Sequence, residues 1–260
     1  MNLIIEILLS GLILLGFVVI AFLVGTIKKN NSVIDIFYGF GYVVLVWSSL
    51  ILSADFALRK IILTSLVTLW GFRLAIYIVI RNWGRSEDYR YQAIRERMGN
   101  NVILKSFFRI YLFQGLIIFL VGFPELFVNV SSHSIINWLD FFGVGLWIVG
   151  FYFESVGDYQ LRKFLKKPEN KGKIMAQGLW KYTQHPNYFG EVLMWWSLYL
   201  IVLNVECGVF MIFGPIIITF MIIKVSGVRL LNKRFEKDDK YADYKKRTSA
   251  FIPWFPKKKK

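Results

Sequence analysis

Cysteine and histidine are almost absent from this chain, which has one cysteine and two histidines among its 260 residues. The lone Cys207 excludes a disulfide framework, a cysteine-based zinc site and an iron–sulfur cluster. His133 and His185 are too few for a haem or two-metal centre, so we expect no metal. The sequence also lacks Gly-x-Gly-x-x-Gly, Gly-Lys-Ser/Thr and Gly-x-Ser-x-Gly motifs. These absences exclude a soluble dinucleotide-binding fold, a P-loop and a serine-hydrolase elbow.

Hydrophobic residues, in contrast, make up 56% of the sequence, and aromatic residues make up 18%. A soluble domain has roughly 45–50% apolar residues. Seven stretches approach the roughly 20 apolar residues that a transmembrane helix needs: about 3–27, 33–52, 60–80, 106–123, 138–157, 189–205 and 208–227. The sequence therefore predicts an all-α polytopic membrane protein with about seven transmembrane helices. Such long apolar runs argue against a nucleic-acid partner.

Acidic residues are in the minority, with 17 Asp and Glu against 32 Lys and Arg. Most basic residues fall in alternate connections between the predicted spans: 28–29, 81–105, 158–188 and 224–260. The positive-inside rule then predicts an N-terminus outside and a cytoplasmic C-terminus. A basic cytoplasmic face also suits contact with the anionic lipids of the bilayer.

Charged residues inside the predicted spans are candidates for function, because charge is costly in hydrocarbon. Asp35 lies near the start of span two, and Arg73 lies in the middle of span three. Glu154 and Asp158 are one turn apart in span five, and Glu191 is in the first turns of span six. One interpretation is structural, with an Asp35–Arg73 ion pair and acids that reach the interface. The other interpretation is that these groups face a shared polar cavity.

The segment Gly178–Glu191 has the most specific pattern of polar residues. Pro186 suits the first position of a helix and favours an extended residue before it. Asn187 and Glu191 then lie one turn apart on one face. A helix N-terminus at a basic surface is a natural anion site, although a plain interfacial helix start is the alternative. The candidate binding residues of this segment and its continuation are His185, Asn187, Tyr188, Glu191 and Trp195. Flanking cations suit a cofactor with several phosphates: Arg162, Lys166, Arg229 and Lys233.

An ordered set of motifs along the chain resembles a known membrane-protein family. The motifs are Asn31-x-x-x-Asp35, Trp70–Leu74, Glu87–Tyr91, Phe113–Gly115, Asp158–Arg162, Gly178–Glu191 and Tyr241-x-x-Tyr244. They are similar to those of the steroid 5-alpha-reductase-like integral membrane family, in particular its bacterial branch of unknown function. The resemblance covers nearly the whole chain. It implies a seven-helix reductase that binds NADPH from the cytosol and passes a hydride to an activated C=C bond in a lipophilic, steroid- or lipid-like substrate.

The resemblance also implies roles for individual residues within a single membrane domain, 1–260. Residues 1–130 would line the substrate cavity, and residues 131–260 would hold the cofactor. The cofactor-binding residues would be Glu154, Asp158, Arg162, Lys166, His185, Asn187, Tyr188, Glu191, Trp195, Arg229, Lys233 and Tyr244. The acid that polarises the substrate carbonyl falls at Asp35. Trp70 stands where the steroid enzymes have a tyrosine, so Tyr77, two turns further along, is the candidate proton donor. Other polar residues for the substrate or the structure are Arg73, Glu87, Asp88, Arg90, Tyr91 and Gln114.

Two other functions compete with the reductase. The pattern His185-Pro186-x-Tyr188-x-Gly190-Glu191 also resembles membrane methyltransferases that use S-adenosylmethionine. A non-enzymatic lipid-binding or transport protein could share the fold. The many cytoplasmic cations favour a phosphate-rich cofactor over a sulfonium cofactor. The expected location is a bacterial cytoplasmic membrane, or the endoplasmic reticulum in a eukaryote.

Overall fold

The computed structural model describes residues 2–82, 84–131, 135–236 and 238–257, apart from the side chain of Arg234. His133 lies outside the described residues. Within these described ranges, eleven α-helices form: α1 Leu3–Ile27, α2 Val33–Ser53, α3 Leu58–Asn82, α4 Tyr89–Met98, α5 Val102–Ser106, α6 Phe113–Val130, α7 Trp138–Leu165, α8 Pro186–Val202, α9 Phe213–Phe220, α10 Val228–Arg234 and α11 Asp239–Arg247. Across the described ranges there is no strand, only a single bridge between Thr183 and Ser249. The predicted all-α class is confirmed.

Six helical segments among the described residues are long and apolar enough to cross a membrane. They are Leu3–Ile27, Val33–Ser53, Leu58–Asn82, Val102–Val130, Trp138–Leu165 and Gly208–Lys233. The chain is therefore an integral membrane protein. The remaining predicted span corresponds to α8, which has 17 residues. At about 1.5 Å per residue, α8 is about 25 Å long, a little less than a hydrocarbon core of about 30 Å. The orientation of the termini stays a prediction.

The chain divides into two compact units. Unit one comprises residues 1–136 and 202–214, and unit two comprises residues 137–201 and 215–260. Unit one thus contains α1 to α6, while unit two contains α7 and nearly all of α8 together with the C-terminal helices. In the part of the chain that the structure describes, π-helical segments interrupt the regular helices at Phe107–Leu112 before α6 and at Met221–Ser226 after α9. Such segments are often found at functional sites.

Helix α2 is the centre of unit one and packs against α1, α3 and α6. Glycine permits its closest approach to α3. A Cβ atom on Gly39 would lie 2.6 Å from the carbonyl oxygen of Gly71, and a Cβ on Gly71 would lie 2.6 Å from that of Gly39. Small residues at such crossings let the backbones of membrane helices come together. The contact holds the start of α2, and so Asp35, against α3.

We expect Gly71→Ala to destabilise the protein, because the new methyl group would press on the backbone of α2. Overpacking of this kind costs about 1–3 kcal/mol. Gly16→Ala in α1 is the matched control, since nothing lies within 4 Å of a Cβ atom at that position. The midpoint of thermal unfolding in detergent measures both variants. Equal midpoints for the two variants would contradict the close helix contact.

Candidate functional site

Asp35 of α2 binds two side chains of the short helix α4. Its carboxylate accepts a hydrogen bond from the Arg90 guanidinium at 3.1 Å and another from the Tyr91 hydroxyl. The Gln114 side-chain amide of α6 donates to the Tyr91 oxygen at 3.0 Å. The Asp35 side chain is 15% exposed, and Tyr91 is buried. Four of the predicted polar residues thus come together in unit one.

Asp88 fixes the start of α4 so that Arg90 and Tyr91 face Asp35. Its carboxylate accepts from the Arg90 backbone N–H at 2.9 Å, as an N-cap residue does, and from the Arg90 side chain at 3.0 Å. Its own backbone N–H donates to the Ser32 hydroxyl at 2.7 Å. The loop before α4 is therefore tied to the start of α2, three residues before Asp35.

Glu87 makes a second tie between this loop and α2. Its carboxylate accepts from the Asn31 backbone N–H at 2.6 Å and from the Arg95 guanidinium at 2.7 Å. Arg95 also donates to the Lys29 carbonyl oxygen at 2.9 Å. Both predicted acids of this loop thus position α4 through these bonds. Their contribution to the site is to hold Arg90 and Tyr91 in place.

Burial and ion pairing set the protonation of the α4 groups. Burial, followed by the neighbouring Asp35 carboxylate, raises the pKa of the Tyr91 hydroxyl well above its usual value. Burial opposes the charge of Arg90, but its bond to Asp88 and the charge of Asp35 keep its pKa above the usual range. Burial likewise opposes the charge of Asp88, but the Arg90 hydrogen bonds hold its pKa below the usual value. At neutral pH, Tyr91 is a neutral donor beside a paired cation.

Arg73 and Tyr77 form a row on α3 together with Arg81. The guanidinium carbons of Arg73 and Arg81 lie 5.8 and 5.9 Å from the Tyr77 ring centre, within the range of cation–π contacts. Asp35 forms an ion pair with Arg90 of α4 and accepts a hydrogen bond from the Tyr91 hydroxyl. The sequence offered Arg73 as one possible partner of Asp35 and Tyr77 as the candidate proton donor, and the role of Tyr77 stays a prediction.

Unit two is built on a close contact between α7 and α8, again through glycine. A Cβ atom on Gly150 would lie 2.7 Å from the Gly190 carbonyl oxygen. A Cβ atom on Gly157 would lie 3.2 Å from the backbone nitrogen of Asn187. This approach lets the Asn187 amide nitrogen donate to the Asp158 carboxylate at 3.1 Å. The Asn187 side-chain oxygen is buried and has no hydrogen-bond partner within the described ranges.

The other predicted residues of unit two differ in burial. Glu154 and Asp158 are buried one turn apart on α7, and Trp195 is buried on α8. Glu191 and Tyr188 are half-buried. Near the end of α7, Arg162 is half-buried and Lys166 is exposed. The structure thus brings Asp158 and Asn187 into direct contact.

A cavity of about 280 Å³ in unit two is lined mainly by apolar and aromatic side chains. Its lining includes Leu161, Phe164, Leu165, Lys173, Ile174, Met175, Trp180, Gln184, His185, Leu231, Phe235, Tyr241 and Tyr244. His185 is only 1% exposed, and neither ring nitrogen has a hydrogen-bond partner among the residues described. Burial, and next the positive charge of Lys245, lower the pKa of His185 to about 4. The imidazole is therefore neutral at pH 7 and can donate and accept one hydrogen bond each.

A second cavity of about 690 Å³ has a basic lining. It is lined by Arg229, Asn232, Lys233, Phe235, Glu236, Tyr241, Ala242, Lys245 and Lys246. Phe235 and Tyr241 line both cavities. The lining contains four exposed basic side chains and one acidic side chain. This excess of positive charge suits an anionic ligand. Predicted residues Arg229 and Lys233 belong here, while His185 and Tyr244 belong to the apolar cavity.

The C-terminal segment holds the Gly178–Glu191 motif in place. The Thr183 hydroxyl donates to the Phe251 carbonyl oxygen at 2.6 Å. The Gln184 side-chain amide donates to the Thr248 backbone carbonyl oxygen at 2.8 Å. The Trp254 backbone N–H donates to the Tyr182 carbonyl oxygen at 2.9 Å. These bonds fix the backbone immediately before His185.

Sequence reasoning missed several residues of the apolar cavity, including Lys173, Trp180, Gln184 and Tyr241. Trp180 and Gln184 were part of the quoted Gly178–Glu191 segment, and Tyr241 was part of Tyr241-x-x-Tyr244. Their presence in quoted motifs was the available signal. Among the described residues there is no group of three or more His, Cys, Asp or Glu side chains that could hold a metal ion.

Comparison with known proteins gives partial matches. An uncharacterized protein of Schizosaccharomyces pombe is 27% identical over 188 residues, which are 64% of this chain and 51% of the yeast protein. The 3-oxo-5-alpha-steroid 4-dehydrogenase 1 of Bos taurus is 30% identical over 112 residues, 43% of this chain and 40% of the bovine protein. The Homo sapiens protein of the same name is 38% identical over 72 residues, 27% of each chain. The chain thus spans about half or less of these relatives' length. No solved structure matches it.

A family match, in contrast, covers most of the chain. Residues 21–248 match the family described as "Protein of unknown function (DUF1295)". The similarity to steroid dehydrogenases agrees with the resemblance seen in the motifs. The chain therefore belongs to the DUF1295 family of membrane proteins, which is related to the steroid 5-alpha-reductases.

Proposed function

We propose that this protein is an NADPH-dependent reductase of an activated C=C bond in a lipophilic, steroid- or lipid-like substrate. The observation that carries the proposal is the pair of adjoining cavities in unit two, one aromatic and one basic. In this proposal unit two holds the cofactor, and unit one binds the oxygen of the substrate. The distant similarity to 3-oxo-5-alpha-steroid 4-dehydrogenases supports the same reaction class. We place the protein in a bacterial cytoplasmic membrane, as its sequence predicts.

The two cavities suit the two chemical parts of an adenine dinucleotide phosphate. The apolar cavity, at about 280 Å³, is close to the lower end of small-ligand sites, about 300 Å³. The neutral His185 can hydrogen-bond a heterocyclic base that stacks between its aromatic walls. Arg229, Lys233 and Lys245 of the basic cavity would bind phosphate groups. The unpaired Asn187 oxygen is an acceptor for a ribose hydroxyl or a carboxamide.

The Asp35 cluster in unit one supplies donors for a developing enolate. When bound, NADPH supplies a hydride to the β carbon of a conjugated carbonyl group. Negative charge then develops on the carbonyl oxygen, where O–H and N–H donors stabilise it. Tyr91 and Arg90 are donors of these two kinds. Because the Tyr91 hydroxyl has one proton, it must leave Asp35 to bind a substrate oxygen, and Arg90 then keeps the Asp35 charge paired. Trp70, which stands where the resembled steroid enzymes have a tyrosine, has no hydroxyl group. In this proposal Tyr91 supplies the hydroxyl instead.

An S-adenosylmethionine-dependent methyltransferase is the second candidate, because its motif resemblance includes His185 and Glu191. The basic cavity argues against it, since a sulfonium cofactor carries no phosphate for these cations to bind. A non-enzymatic lipid-binding or transport protein would bind neither cofactor.

We expect NADPH to raise the midpoint of thermal unfolding of the detergent-purified protein more than NADH does. A ligand that binds only the native state stabilises it by mass action, and the 2′-phosphate adds a charge for the basic cavity. Asn187→Ala should weaken NADPH binding by about 1–3 kcal/mol, the cost of leaving a buried polar partner unsatisfied. Asn100→Ala, which changes an exposed asparagine of unit one, is the control.

The cofactor assignment is wrong if S-adenosylmethionine alone shifts the midpoint. It is also wrong if Asn187→Ala and Asn100→Ala bind NADPH equally well. In the first case the methyltransferase becomes the better proposal. In the second, the contact between α7 and α8 is structural only.

We expect Tyr91→Phe to lower turnover of an enone lipid about 10²–10³-fold, the usual effect of removing one oxyanion donor. NADPH binding should be unchanged, because Tyr91 belongs to unit one. Tyr89→Phe, which alters an exposed tyrosine on the same helix, is the matched control. Tyr77→Phe tests the sequence-based alternative in the same assay. A larger loss in Tyr77→Phe than in Tyr91→Phe would return the donor role to Tyr77.

A further inference from the structure

Two exposed aromatic side chains of unit two stand on a backbone that is held in place. Trp254 is 71% exposed and Phe255 is 77% exposed. The Trp254 backbone N–H donates to the Tyr182 carbonyl oxygen at 2.9 Å. Likewise, the Lys257 backbone N–H donates to the Arg247 carbonyl oxygen at 2.9 Å. Large apolar groups that a fixed backbone presents at a surface mark an interaction site.

A third ring joins these two side chains in one patch. The ring centre of Tyr182 lies 6.3 Å from that of Phe255, in an edge-to-face arrangement. The ring centre of Trp254 lies 6.4 Å from that of Phe255. Tyr182 is itself 37% exposed. We call Tyr182, Trp254 and Phe255 the aromatic patch. It combines the Gly178–Glu191 segment with the C-terminal segment.

The charges beside the aromatic patch are positive. The Lys181 ammonium nitrogen lies 6.0 Å from the Tyr182 ring centre, and Lys257 follows Phe255 by two residues. Both lysines are exposed. The stretches 178–185 and 249–257 contain no Asp or Glu. The patch therefore combines apolar rings with positive charge, and its partner should be apolar and anionic.

Contacts with α7 place the aromatic patch near the edge of the apolar phase. The Trp180 indole N–H, two residues before Tyr182, donates to the Gly157 carbonyl oxygen at 3.1 Å. Helix α7 has 28 residues and is about 42 Å long, so it exceeds a hydrocarbon core of about 30 Å by about two turns. Its charged residues lie in the last two turns, 158–165, apart from Glu154 and Asp140. Gly157 therefore lies where α7 leaves the hydrocarbon.

We propose that the aromatic patch inserts into the headgroup region of the surrounding bilayer, where Lys181 and Lys257 bind the phosphates of anionic phospholipids. Trp and Tyr are enriched at this level of membrane proteins, because their rings are apolar and their N–H or O–H groups are polar. Lysines near an anionic surface add electrostatic attraction.

This lipid contact stabilises one particular contact of the backbone. Insertion holds Tyr182 and Trp254 together, and these two residues join the C-terminal segment to the backbone immediately before His185. The charge of the lipid therefore acts on the Gly178–Glu191 segment. The proposal does not depend on the reductase, and its test needs neither cofactor nor substrate.

The test measures hydrogen–deuterium exchange of the full-length protein, with one copy in each nanodisc. One set of discs contains phosphatidylcholine, and the other contains an equal mixture of phosphatidylcholine and phosphatidylglycerol. The amides of interest are those of Gln184 and Trp254, which donate to the Ser249 and Tyr182 carbonyl oxygens. We expect both to exchange about 5–25-fold more slowly in the mixture, because each lysine near an anionic surface contributes about fivefold.

Paired lysine variants test whether the effect is local. Lys181→Gln combined with Lys257→Gln should remove the difference between the two lipid compositions. Lys163→Gln combined with Lys171→Gln, which changes two other exposed lysines of unit two, should retain it. Trp254→Ala should reduce the difference, whereas Trp138→Ala should not, although Trp138 is equally exposed in the same unit.

The unaltered protein decides the proposal even if a variant does not fold. Equal exchange of Gln184 in the two lipid compositions would overturn it. A difference that persists after both Lys181 and Lys257 are replaced would do the same. Protection that appears only in discs with two copies of the chain would also overturn it, and would identify the aromatic patch as an interface between copies.

Discussion

The ion pair between Asp35 and Arg90 is the interaction on which one end of unit one depends. Asp35 belongs to a membrane-spanning helix, where an unpaired carboxylate is strongly disfavoured. Its partner comes from α4, a ten-residue helix that is too short to span a membrane. This helix must therefore dock against α2, and the bonds from Glu87 and Asp88 hold it there. Tyr91 and Gln114 complete the network, so a charge in α2 determines where a hydroxyl donor stands.

The spans were predictable from the sequence because length and apolar content are local properties. Asp35 was a candidate for the same reason, since a charge in an apolar run stands out. Its partner was not predictable, because Asp35 and Arg90 are 55 residues apart. The sequence offered Arg73 because it is another charge inside a predicted span, and it offered Tyr77 because Trp70 stands where the resembled family has a tyrosine. The docking of α4 depends on the ties to Asn31 and Ser32, which no pattern in the sequence encodes.

In unit two, the contiguous motif was predictable and the cavity was not. Spacing alone placed Asn187 and Glu191 on one face of α8. The contact between Asn187 and Asp158 also requires close helix packing at Gly150, Gly157 and Gly190, which a single sequence does not reveal. The apolar cavity takes side chains from α7, the loop after it, α10 and α11. Such a set is assembled by the fold, so only its members within quoted motifs could be anticipated.

The rule that buried polar atoms need partners points most directly to a ligand where such atoms border a cavity. In unit two, His185 borders a cavity of about 280 Å³, which accommodates an aromatic base. In unit one, Glu125 and Asn129 are both buried on α6, a membrane-spanning helix. A neutral imidazole on an open cavity suits an organic cofactor, whereas an enclosed carboxyl group suits a proton.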